Sequence, residues 1–207
     1  VRHAMLLKNA LVFVHLLAMA VAVGKMLEYD FRFLRSVHRP ISAQQWENLL
    51  HTKRTMTVAL GVLWLTGLGF LYVGQAQYPG YLANEKLWMK VLTVCVLTLS
   101  GMLMHHFAFP HMQQGTVFLQ WPLGRVLLLT VFATVSSISW LYASFLGIAR
   151  SWNDTVAFEH ALGVYVALLL LAAAGTAGLM AFLHHRHARG IQPGPLPCTG
   201  PRGGCPR

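Results

Sequence analysis

The chain has 207 residues and a mass of 23.0 kDa, is 56% hydrophobic and only 11% charged, and has a mean hydropathy of +0.53. These proportions exclude an ordinary water-soluble globule and place the chain in a membrane. Sixteen Lys plus Arg against six Asp plus Glu leave a net charge of +10; because the basic residues flank apolar runs, anionic lipid headgroups account for them and nucleic acid is not called for.

Five apolar runs follow in order, each close to the roughly 20 residues that cross about 30 Å of hydrocarbon. The first extends from about Lys8 to Met26 and is interrupted by His15. Beyond it, Phe31, Phe33, Leu34 and Val37 lie among Arg32, Arg35 and Arg39, which predicts a helix continuing past the membrane surface and breaking near Pro40. Ser42 is placed to cap a short interfacial helix containing Trp46 and Leu49. The second run spans about Met56 to Gly74 and is followed by a turn region, Gln75 to Asn84, with tyrosines at interface depth. The third, from about Leu87 to Phe107, carries Lys90 near its start and His105 and His106 near its end. The fourth follows Pro122 and Arg125 and is free of charge from Val126 through Ala149; the fifth covers about Phe158 to Leu183, with His160 in its first turn and Ser151 to Asp154 as the turn before it.

The expected fold is therefore all-α: a five-transmembrane-helix bundle over residues 1–189, with 190–207 a disordered tail containing five Gly and five Pro. Continuous runs of this length exclude porin-type strands. Five spans put the termini on opposite sides. Six basic residues between Lys25 and Arg54, Arg125 and four in the tail share one side, which predicts a periplasmic N-terminus and a cytoplasmic C-terminus in a bacterial inner membrane. The three cysteines, Cys95, Cys198 and Cys205, form none of the two-residue spacings of a redox, zinc or covalent-haem motif.

Ionisable groups inside a membrane are costly and so point to function. Rise per residue puts His15 about 10 Å, Lys90 about 6 Å and His160 about 5 Å below the outer starts of their helices, one shared layer. Imidazole at that level can ligate haem iron or copper, with His15 the first ligand and His160 a second from another helix, while Lys90 neutralises a haem propionate or an anionic substrate. At the other surface Met102, Met104, His105, His106, His111 and Met112 offer soft and borderline ligands suited to copper. His184, His185 and His187 read as complements to the dipole at the end of the last helix. Glu28 and Asp30 are expected at the inner end of the first helix, paired with Lys25, Arg32 or Arg35. That leaves no acidic group in mid-membrane and disfavours a proton-driven transporter.

The stretches Leu11-Val12-Phe13-Val14-His15-Leu16-Leu17, Leu65-Thr66-Gly67 and Leu87-Trp88-Met89-Lys90, followed by His105, resemble the CopD/HemJ-like group of bacterial membrane proteins over residues 10–110. Members similar to HemJ are protoporphyrinogen oxidases that bind haem b, and their helix-1 histidine and helix-3 lysine match His15 and Lys90. Members similar to CopD are associated with copper uptake or resistance. The chain departs from the oxidase pattern over Ala20 to Gly24 and Glu28 to Arg32, and it has a fifth helix. The leading expectation is a haem b redox protein working in electron transfer or tetrapyrrole oxidation. Copper handling is an alternative, as is a non-catalytic assembly subunit whose Glu28 to Arg54 segment binds a partner; the partners expected are another membrane protein or, in a homo-oligomer, a second copy of the chain.

Overall fold

In hydrocarbon a backbone amide has no water to pair with, so an apolar run closes its own hydrogen bonds as a helix. The computed structural model, which describes residues 2–77, 80–108, 115–152 and 155–190, has five such helices. They are α1 (Arg2–Ser36), α2 (Ala43–Gln77), α3 (Glu85–Leu103, continued by a π-helical turn over Met104–Ala108), α4 (Leu123–Ile148) and α5 (Phe158–Gly190). Each is long and apolar enough to cross a membrane, and the chain is an all-α polytopic bundle. The turn end Asn153–Asp154, residues Pro110, His111 and Met112, and the tail beyond Gly190 lie outside the described residues.

The first helix does continue beyond its apolar run, as expected, and stops at Ser36. The separate interfacial helix is not formed. Its residues are the opening turns of α2, which runs unbroken for 35 residues, about 52 Å. Ser42 still acts as the cap. Its Oγ accepts from Gln45 N at 3.2 Å while Gln45 Oε1 accepts from Ser42 N at 3.0 Å, a reciprocal capping box. With that cap in place nothing between Trp46 and Met56 breaks the helix, because Lys53 and Arg54 are good helix formers.

The helices alternate in direction. α1 and α2 pack along each other as an antiparallel pair, while α4 is the hub that touches α3, α5 and α1. Apolar contacts fall in three layers. At the end where α1 finishes, Val37, Leu49, Phe118, Leu119, Val126, Leu129 and Met180 are buried together, and Tyr29 and Phe33 pack against them. Phe33 thus belongs to the core, whereas Phe31 and Leu34 face outward. In the middle, Ala22, Met26, Ala59, Leu63, Leu97 and Trp140 join α1, α2, α3 and α4. At the opposite end Met89, Tyr142, Leu146, Ala161 and Tyr165 join α3, α4 and α5.

Two polar ties hold the connections. Ile41 N donates to Thr116 O at 3.0 Å and Gly115 N to Ile41 O at 2.9 Å, pinning the α3–α4 connection to the α1–α2 turn; Gly115 supplies the φ of +82° that the bend requires. At the other end, the Glu85 carboxylate accepts the backbone amide of Phe158 at the start of α5, and Lys86 Nζ donates to Ala149 O at the end of α4. Consecutive residues of α3 thereby cap two other helices.

Tyr81 folds its ring onto Gly74 of α2, where an added Cβ would meet ring carbon at 2.5 Å. Gly74→Val is expected to lower stability by about 1–3 kcal/mol through this overlap. Tyr81→Ala in the same chain should recover most of the loss, as read by thermal unfolding in detergent.

Candidate functional site

The layer expected near the N-terminal end of α1 forms in part. His15, half-buried on α1, reaches α2. Its Nδ1 lies 2.7 Å from Thr66 Oγ1, and its ring meets Phe70 edge-on at 5.4 Å between centroids. Thr66 Oγ1 also lies 2.7 Å from Val62 O, the carbonyl one turn back in its own helix. A hydroxyl has one hydrogen, and a carbonyl can only accept. Thr66 therefore donates to Val62 and accepts from His15, which assigns the proton of the neutral imidazole to Nδ1 and leaves the Nε2 lone pair uncommitted. That is the arrangement in which a histidine serves as a metal ligand: one nitrogen held by an oxygen acceptor, the other presented.

Lys90 of α3 lies close enough to interact electrostatically with His15. His15 and Thr66, from two helices, thus form one polar pair in the half of the bundle nearest the start of α1, with Lys90 of a third helix within electrostatic range. Trp64 of α2 adds a further tie, its Nε1 donating to Thr98 Oγ1 of α3 at 3.0 Å.

The other expected ligands are placed elsewhere. His160 is exposed on α5, a helix that packs on α4 and α3, whereas His15 faces α2 and Lys90; depth agrees but direction does not. In the soft-ligand group Met102 is 64% exposed while Met104 packs into the core beside Val126 and Leu129, so the two thioethers diverge. His105 is half-buried and His106 exposed on the π-helical turn, where His106 meets Phe107 edge-on. His111 is outside the described residues. Among the described residues no three His, Cys, Asp or Glu side chains are gathered for a metal ion. Haem asks for only one or two axial ligands.

Asp30 departs furthest from expectation. Lys25 and Arg32 both pair with Glu28, at 2.9 and 2.7 Å, facing a cleft lined by Asn48, His51 and Thr52 of α2. Asp30 lies about 200° around the helix from Glu28 and faces α4, where Ser137 Oγ donates to its Oδ2 at 2.6 Å. Ser137 is about 21 Å along α4 from Leu123 and about 17 Å from Ile148, near the middle of the span. Asp30 therefore packs between helices against α4 and is not paired with Lys25, Arg32 or Arg35, which corrects the expectation of an ion pair.

No family model matches the chain, and no curated protein or solved structure is significantly similar to it.

Ser137→Ala would leave the Asp30 carboxylate without its hydroxyl donor at a cost of about 1–3 kcal/mol. Asp30→Asn, which removes the charge and keeps an oxygen for Ser137, should be tolerated. Unfolding midpoints of the two variants and their combination check this.

Proposed function

We propose that the protein is a membrane redox protein of the bacterial inner membrane that holds a b-type haem near the periplasmic end of the bundle and works in electron transfer or tetrapyrrole oxidation. The observation that carries the reading is the bond from His15 Nδ1 to Thr66 Oγ1, which orients the ring and leaves Nε2 as a ligand. It is supported as well by the contact between His15 and Thr66, two of the residues through which the chain resembles the CopD/HemJ-like group, with Lys90 within electrostatic range.

The donor set fits the group. Haem bound there supplies a one-electron couple whose potential depends on its axial ligand and surroundings. His15 offers imidazole nitrogen, and Thr66 fixes the tautomer and the ring plane. Lys90, on a four-carbon stem, brings positive charge to a propionate or to an anionic substrate and reaches the interface when neither is present. Phe70 and the apolar flanks of α1 keep the imidazole in a medium of low dielectric, where the charge of Lys90 acts more strongly than in water. His160 has no part in this arrangement.

Expression with abundant haem followed by purification should give a Soret band. His15→Ala is expected to abolish it; Thr66→Val should retain it while weakening haem retention by about 10- to 100-fold. Lys90→Met should retain it with an altered midpoint potential. A protein without a Soret band, with His15→Ala unchanged in spectrum and stability, would remove the reading.

A further inference from the structure

A second pair of imidazoles meets at the opposite end of the bundle. His38 sits in the α1–α2 turn and His187 in the last turn of α5, with ring centroids 6.4 Å apart and planes inclined by 37°. These elements are about 150 residues apart in sequence, so the approach is a product of the fold rather than of local spacing.

His187 Nε2 is fully buried and has no hydrogen-bond partner among the described residues. Its neighbour one turn back behaves otherwise: His184 Nε2 donates to Trp121 O at 3.1 Å, and that bond fixes how the end of α5 sits against the α3–α4 connection. A buried nitrogen without a partner is costly, and in a native fold it calls for an occupant such as a water or an ion. The spacing bears on which. With metal–nitrogen bonds of about 2.0–2.1 Å, each ring centre lies about 3.2 Å from a shared ion, so two ligating imidazoles have centres about 5–6.4 Å apart, depending on the angle at the metal. The observed separation is that of two imidazoles on opposite sides of one ion; a tetrahedral angle would bring the centres to about 5.2 Å, so ligation to zinc draws the rings about 1 Å closer.

We propose that His38 and His187 form a two-imidazole site for a divalent transition metal, clipping the α1–α2 turn to the end of α5. Two neutral nitrogens without a carboxylate or thiolate suit copper(II), nickel or zinc rather than magnesium or calcium. With two protein ligands the remaining positions belong to water, which makes the ion exchangeable rather than structural. Arg186, on the same turn, is drawn aside over the Phe182 ring at 5.1 Å and so is directed away from the pair. The site is independent of the haem reading, because His15 belongs to the other half of the bundle.

The test uses the full chain, purified in detergent without a polyhistidine tag and titrated with zinc ion by calorimetry, with thermal unfolding measured in parallel. His38→Gln and His187→Gln should each weaken the same binding event at least tenfold. The double variant should lose little more than either one, and zinc should raise the melting temperature of the parent but not of the variants. His185→Gln, which alters an exposed imidazole of the same helix end, should leave the event intact. In copper(II)-loaded protein the nitrogen hyperfine pattern should change from two imidazoles to one in either single variant. Equal zinc binding in parent and variants, or variants that lower stability equally with and without zinc, would assign the buried nitrogen to water and overturn the proposal.

Discussion

A hydroxyl in hydrocarbon has a single hydrogen, and in a helix the nearest acceptor for it is the carbonyl four residues back. Thr66, Thr93, Thr98, Thr130, Ser139, Ser144 and Thr176 all place their oxygens against such a carbonyl. Once the hydrogen is used in this way, the oxygen can only accept from a neighbouring helix. Trp64 Nε1 on Thr98 is the clearest instance, because an indole nitrogen can only donate. Tyr165 on Ser139 and His15 on Thr66 repeat the pattern. The same rule that joins α2 to α3 and α4 to α5 therefore also sets the tautomer of His15, and with it the chemistry open to that side chain.

This makes Ser137 informative. Its hydrogen goes across to Asp30 on another helix, so the carboxylate has displaced the local bond that its neighbours in α4 make. Charge-assisted hydrogen bonds are about twice as strong as neutral ones, which accounts for the exchange.

The helix count and its approximate bounds were legible because long apolar runs leave the backbone no alternative to helix. Rise per residue is likewise fixed, so a position along each helix axis was legible too. Direction around the axis was not. α5 is apolar on nearly every side over Val164 to Leu171, so nothing in its pattern tells which face His160 shares. Asp30 was misread because Lys25, Glu28 and Arg32 look like a headgroup layer. They are spaced three and four apart on one face, and that same arithmetic turns Asp30 to the other. Thr66 stands beside Gly67 in an ordinary apolar run, and its part depends on a contact with a residue 51 positions away on another helix.

The tie from Glu85 and Lys86 to the α4–α5 connection bears on how the chain comes together. α3 is synthesised before either helix it caps, so a carboxylate and an ammonium are already waiting when the last hairpin leaves the ribosome. In that hairpin Ala149 O, which also accepts from Trp152 N, takes the ammonium, and the amide of Phe158 takes the carboxylate on the same short stretch of an earlier segment. The opening residues of the third helix are thus the fixture on which both ends of the last hairpin rest.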